Sequence, residues 1–196
     1  MLLLLPLLAY LFGSISSAVV VSRAMGLQDP RTAGSRNPGA TNVLRLGGKK
    51  AAVITLAGDI LKGVIPVLIA RALTDDPRLL AATAAAAFLG HLFPVFFGFK
   101  GGKGVATAWG ALAAMNLWVG LALILSWFVV AFAFRYSSLA AISAAVLGPV
   151  YVWWFLREPV YLVTALGICA LLLWRHRGNI RNLLAGKEDK IGARRG

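Results

Sequence analysis

Acidic side chains are scarce in this chain: seven Asp and Glu stand against twenty Lys and Arg among 196 residues, a net charge of +13. Charged residues of either sign make up only 14%, against about 25% in an average soluble domain, while 59% of residues are hydrophobic. That balance excludes an ordinary soluble domain, and equally a disordered or collagen-like chain. Long uncharged runs need a bilayer, so the class is a polytopic membrane protein. Cysteine is almost missing. Cys169 alone permits no intrachain disulfide, and within its apolar run it reads as a small hydrophobe. The two histidines, His91 and His176, lie too far apart for a zinc site or a His-Glu-x-x-His helix. Asp59 is the one acid inside an apolar run, so a carboxylate-held magnesium is not expected, nor any other metal or cofactor.

Apolar runs occupy 2–22, 51–70, 79–99, 104–134, 137–156 and 159–174. The first has no basic leader and is expected to be a retained helix rather than a cleaved signal. A bilayer core is crossed in about 20 residues. The 31 uncharged residues of 104–134 are therefore one strongly tilted helix, or two short helices, 104–115 and 117–134, meeting near Met115 and Asn116. Basic residues favour the second reading, because cytoplasmic loops hold the Lys and Arg excess. With seven spans, sixteen basic residues share one side: six in 23–50, then Lys100, Lys103 and Arg135, and seven in 175–195. The other side holds Arg71, Arg78 and Arg157, balanced by Asp75, Asp76 and Glu158. The expected fold is an all-α integral membrane protein with seven transmembrane helices, N-terminus outside and C-terminus cytoplasmic. It forms one membrane-embedded domain over 1–196. In such a protein the basic excess first sets orientation and attracts anionic lipid; no nucleic-acid partner is expected.

Three segments on the basic side carry more than charge. The loop 23–50 includes Gly34-Ser35-Arg36-Asn37-Pro38-Gly39-Ala40-Thr41-Asn42, and Arg45 follows. Loops of that length are uncommon without a function, and exposed amides with Ser, Asn and Arg side chains suit an anion. The second segment runs from Gly90-His91-Leu92-Phe93-Pro94 to Phe99-Lys100-Gly101-Gly102-Lys103-Gly104. Its glycines let backbone N–H groups approach a phosphate ahead of a helix N-terminus. It is not a Walker A loop, since Phe97 and Gly104 stand where that pattern needs Gly and Ser or Thr. A plain turn with snorkelling lysines explains this segment equally well. The third, Trp174-Arg175-His176-Arg177-Gly178-Asn179-Ile180-Arg181 onward, reads as a short interfacial amphipathic helix ending at Gly186. Asp59 and Lys62 share a helix face three residues apart and are expected to pair, bracing the loops rather than relaying protons. His91 is either a buried hydrogen-bonded histidine or a site member.

Those three segments, in this order, resemble the signatures of the PlsY family, bacterial acyl-phosphate:glycerol-3-phosphate acyltransferases. The likeness spans about 11–190, nearly the whole chain. Departures are small: Arg36 stands where the family often has Gly or Arg, Gly178 where Glu is usual, and Lys187-Glu188-Asp189 where a Thr-Glu-Pro-like run is common. The resemblance implies a multi-pass enzyme of the bacterial cytoplasmic (inner) membrane. It would pass a fatty acyl group from acyl phosphate to glycerol-3-phosphate, giving lysophosphatidic acid and phosphate, the first step of phospholipid synthesis. No covalent acyl-enzyme is implied, and a substrate phosphate oxygen or His176 takes the proton. Carried over residue by residue, Ser35, Arg45 and Lys103 hold glycerol-3-phosphate, with His176 and Asn179 completing the pocket. Asn37, Thr41 and Asn42 with the Gly101–Gly102 amides shape the acyl-phosphate end, with Ser138 near it, and Lys100 is a further substrate-binding residue. Membrane lipids are the other expected partners, and the oligomeric state stays open. An organic-anion or phosphate transporter is the competing reading; it requires a polar path and an internal repeat, and no repeat is visible. A lipid phosphatase would need inward acids, and a purely structural protein leaves the Gly, Asn and Ser-rich loop unexplained.

Overall fold

The computed structural model describes residues 2–192. Arg194 and Arg195, counted above in the cytoplasmic excess, lie outside the described residues. All regular structure within them is helical. The chain forms two compact units, Met1–Met115 and Asn116–Gly196.

The first unit holds α1 (Leu5–Gly13), α2 (Ser17–Ala24), α3 (Ala40–Leu73), α4 (Pro77–Leu92) and α5 (Val105–Met115). Helix α3 packs against α5, α2, α4 and α1, and α1 lies along α4. The crossings are built on glycine. A Cβ on Gly13 would overlap the Ala87 carbonyl oxygen, and one on Gly63 would overlap that of Thr107. Small residues let membrane helices approach this closely when no hydrophobic force separates helix from lipid. The buried set is mostly alanine and valine, with Phe88 and Leu92 the largest fully buried side chains.

The second unit holds α6 (Leu117–Phe134), α7 (Ser137–Leu156), α8 (Pro159–Arg175) and α9 (Arg177–Leu184). Helix α7 packs on α6, α8 and α9. Asn116 starts α6 with its side-chain oxygen, which accepts from the amides of Trp118 at 2.9 Å and Val119 at 3.2 Å. That cap is the physical reason for the break at Met115–Asn116, and 104–134 forms two helices. Large side chains face outward: Phe132 is 80% exposed and Val163 68%, as a lipid-facing surface requires.

Four helices are long and apolar enough to cross a membrane singly: Ala40–Leu73, Pro77–Phe97, Leu117–Phe134 and Ser137–Leu156. Two bent pairs qualify when each is taken together, Leu2–Gly13 with Ser17–Ala24 at 41° and Pro159–Arg175 with Arg177–Leu184 at 59°. Val105–Met115 is apolar but spans only 11 residues. Each run expected from the sequence thus carries an apolar helix, with different ends. Helix α3 is two helices joined at a kink: a short one starts at Ala40 after the extended Gly39, and beyond the non-helical Gly48 the long one covers the expected 51–70. The regular α4 stops at Leu92 instead of 99, since Pro94 lacks an amide hydrogen and Gly98 turns left-handed at φ 63°.

Candidate active site

The first polar segment is organised around a buried amide. Asn42, 1% exposed at the start of α3, accepts the Ser35 amide hydrogen at 2.9 Å. Its Nδ2 donates to the carbonyls of Pro30 at 2.9 Å and Ala33 at 3.0 Å. Gly34, at φ +60°, passes so close that a Cβ would overlap Asn42 Oδ1. Arg36 is also left-handed, at φ 56°, a conformation in which glycine is at home. Asp29 grips Arg31 through both carboxylate oxygens, at 2.7 Å and 3.0 Å. The Arg31 hydrogen bond holds the Asp29 carboxyl below the usual carboxylate range. Arg31 also lies 5.8 Å from the centre of the Phe97 ring, tying this loop to the second segment.

Of the residues picked from sequence, Ser35, Thr41 and Arg45 are exposed and Asn37 is half-buried. Thr41 and Arg45, four apart, share the outer face of α3, while Asn42 and Val43 turn inward. The short helix that carries them is set off from the rest of α3 by Gly48, whose backbone (φ 77°, ψ −173°) is non-helical.

The second segment closes on His91. Its Nδ1 stands 3.5 Å from Asp59 Oδ1, and Lys62 Nζ is 2.9 Å from the same oxygen. All three side chains are buried. The expected Asp59–Lys62 pair is present, and Lys62 also donates to the Ile15 carbonyl at 2.9 Å, in the break between α1 and α2. A carbonyl freed by a helix break inside a bilayer needs such a donor. Thr107 Oγ donates to the Asp59 carbonyl at 2.8 Å, adding α5 to the junction. Gly101 and Gly102 are buried, Lys103 is half-buried and Lys100 is exposed. A Cβ on Gly102 would overlap His91 Nε2 and stand 2.9 Å from the Pro38 oxygen. The Asn37-Pro38-Gly39 turn and the Gly101–Gly102 turn therefore pack together. Lys103 is followed by Gly104, whose carbonyl accepts the first bond of α5 from Ala108 at 2.8 Å. The lysine thus stands beside the positive end of a helix.

The second unit gathers the rest. Ser138 Oγ and Asn179 Nδ2 both donate to Glu188 Oε1, each at 2.6 Å. His176 is 3% exposed, and its Nδ1 donates to the Leu172 carbonyl at 2.8 Å. A carbonyl only accepts, so Nδ1 carries the hydrogen and neutral His176 keeps its lone pair on Nε2. Arg177 donates to the Trp174 carbonyl at 2.9 Å and covers the Trp174 ring at 4.8 Å. Sequence reasoning gave Asn42 a substrate role and missed its three loop contacts; it passed over Glu188 as a departure beside the third motif. The available signal for Glu188 was the acidic pair Glu188-Asp189 in an otherwise basic tail. Among the described residues no three His, Cys, Asp or Glu side chains converge as metal ligands do.

Apolar helices with outward-facing large side chains, and glycine-rich turns carrying amides, hydroxyls and cations, define an all-α integral membrane enzyme equipped for anionic substrates. The chain belongs to the glycerol-3-phosphate acyltransferase family, whose model matches residues 3–186. It is an acyltransferase. A glycerol-3-phosphate acyltransferase of Methylococcus capsulatus is 58% identical over 193 residues, covering 98% of this chain and 97% of that one. One of Thioalkalivibrio sulfidiphilus is 57% identical, covering 94% and 91%. The crystal structure of PlsY, an integral membrane glycerol 3-phosphate acyltransferase, in its glycerol 3-phosphate form shares 44% identity. It superposes with a TM-score of 0.93 over 97% of this chain and 96% of that one. The lysophosphatidic acid form of PlsY gives 0.90 at 42% identity, over 97% and 95%.

Proposed function

We propose that this acyltransferase takes its acyl group from acyl phosphate. The 1-hydroxyl of glycerol-3-phosphate attacks the acyl carbon and a C–O ester bond forms. The C–O bond to phosphate breaks, and the products are 1-acyl-glycerol-3-phosphate and inorganic phosphate. The observation that carries this reading is the buried Gly101–Gly102 turn, set against Pro38 and delivering Lys103 to the start of α5. Backbone amides, a lysine and a helix N-terminus together suit a phosphate. The relatives solved with glycerol 3-phosphate and with lysophosphatidic acid support the acceptor and the product.

Acyl phosphate is a mixed anhydride and already activated. Direct attack needs bound reactants close together and cationic stabilisation of the oxyanion and leaving phosphate; no acyl-enzyme is required. Lys103, Arg45 and Ser35 hold glycerol-3-phosphate, and His176 and Asn179 act on the same substrate. Asn37, Thr41 and the two glycines serve the acyl phosphate with Ser138, Asn42 serves it through the loop it organises, and Lys100 is a further substrate-binding residue. The attacking hydroxyl passes its proton to a substrate phosphate oxygen. His176 Nε2 is the other acceptor, and a pH–rate limb that vanishes in His176→Gln would transfer that role to it. The enzyme sits in the bacterial cytoplasmic membrane with its N-terminus outside and its basic face, carrying these residues, on the cytoplasmic side.

The test is phosphate release by the purified protein from palmitoyl phosphate, with palmitoyl-CoA as an alternative donor. Release that requires glycerol-3-phosphate, yields the lysolipid and is lost in Lys103→Ala is the expected result. Equal transfer from the thioester, or release indifferent to glycerol-3-phosphate, overturns the proposal.

A further inference from the structure

One imidazole lies between a charge pair in the helices and a turn at the functional site. His91 ends α4 at 6% exposure. On one side its Nδ1 is 3.5 Å from Asp59, which Lys62 holds at 2.9 Å. On the other side Nε2 faces the Gly102 backbone with no room for even a methyl group between them. Gly101 leans on the same residue, since a Cβ there would overlap the His91 carbonyl oxygen. Ionisable side chains inside apolar helices are retained where something uses them. Here Asp59 and Lys62 join four elements: Lys62 reaches the α1–α2 break, Thr107 of α5 reaches the Asp59 carbonyl, and His91 brings in α4. The imidazole extends that junction to the turn.

We propose that His91 is a positioning residue for phosphate binding. The Asp59–Lys62 pair orients its ring, and the ring nitrogens fix the Gly101–Gly102 turn against Pro38, so that Lys103 meets the phosphate of glycerol-3-phosphate. This rests on the assignment of Lys103 to that substrate. A ring that merely fills space between α4 and the turn would be replaced by any side chain of its size. A ring that holds the turn through its nitrogens would not, and a misplacement of about 1 Å in such a site lowers rates about a hundredfold.

Full-length His91→Phe keeps the ring without nitrogens, and His91→Gln keeps polar reach without the ring. For His91→Phe we expect KM to rise about tenfold or more for glycerol-3-phosphate, held by Lys103, and to rise as well for palmitoyl phosphate, which the two glycines serve. His91→Gln should stay within about threefold on both. Trypsin cleavage after Lys100 and Lys103 should be at least about fivefold faster in folded His91→Phe. An unchanged KM and cleavage rate in folded His91→Phe overturns the proposal, as does an equal loss in His91→Gln. Where His91→Phe does not fold, Asp59→Asn decides by the same two KM values and the same cleavage rate. An original enzyme that releases no phosphate on addition of glycerol-3-phosphate removes the substrate assignment and the phosphate role with it. The cleavage rates, which need no activity, then decide whether His91 holds the turn.

Discussion

Removing the Asn42 side chain separates loop organisation from direct substrate contact. In Asn42→Ala the Ser35 amide loses its acceptor at 2.9 Å, and the carbonyls of Pro30 and Ala33 lose donors at 2.9 Å and 3.0 Å. A typical internal hydrogen bond contributes about 1 kcal/mol net. Ser35 is exposed and its amide can turn to water, so the loss is about 2–3 kcal/mol of local stability rather than more. At about 1.4 kcal/mol per tenfold, opening of the loop becomes about 30- to 150-fold more frequent. Hydrogen exchange read on amides 30–36 without substrate should accelerate by that factor, while amides in the centre of α3 stay unchanged. Asn42→Asp should be worse than Asn42→Ala, because a buried carboxylate oxygen would then face two carbonyls. If exchange in 30–36 is the same in all three proteins and only KM moves, Asn42 touches substrate and the loop stands without it.

Gly48→Ala puts a side chain on a backbone at φ 77° and ψ −173°, a region open in practice to glycine alone. With nothing within 4 Å of the new Cβ, the effect is pure backbone strain of about 1–3 kcal/mol. It should appear as a lower thermal midpoint and a several-fold higher KM for glycerol-3-phosphate, since Arg45 rides on the short helix beyond this residue. The Asp29–Arg31 pair gives the loop a pH limb. Its carboxyl is held below the ordinary value of 3.8, so it stabilises the loop above that pH, and the contribution disappears as pH falls through the lowered folded value. Exchange in 29–36 should therefore quicken on acidification below about pH 4, and Asp29→Asn should remove that dependence.

The sequence marked where charge stops more reliably than where helices stop. The break before α6 was favoured by the placement of basic residues, which needs an extra crossing, and its physical cause is the cap that Asn116 makes. The Asp59–Lys62 pair was readable from spacing alone, because unpaired charges do not survive in apolar surroundings. The short helix ahead of Gly48 was not legible, since the basic Arg45, Lys49 and Lys50 signal the membrane boundary and place no limit on helix formation. The helical limit of α4 was drawn too long, because apolar residues after Pro94 suggested a continuing span where the backbone had already turned. At the site, a motif does not say which of its members face inward. Asn42 and His91 are buried tie points and Ser35 and Arg45 are outward groups; that division depends on helix phase and on neighbours remote in sequence.

The buried ion pair also allows stability and positioning to be taken apart. Removing one partner of a buried pair typically destabilises by about 3–5 kcal/mol, whereas replacing both with apolar residues of similar volume is often neutral. Lys62→Met alone should therefore lower the thermal midpoint sharply, leaving the Asp59 carboxylate without its lysine and the Ile15 carbonyl without its donor. Asp59→Leu combined with Lys62→Met should recover the part of that loss due to the lone carboxylate, the Ile15 carbonyl still lacking its donor. If the pair served the fold alone, activity would return with the midpoint. If Asp59 orients His91, the double variant folds and still shows the raised KM for glycerol-3-phosphate, because the imidazole has lost the carboxylate that sets its ring. Measuring midpoint and KM on the two single variants and the double variant decides between these. Recovery of both quantities together would show that the charges inside these helices only hold the helices, and that the turn beyond His91 finds its place without them.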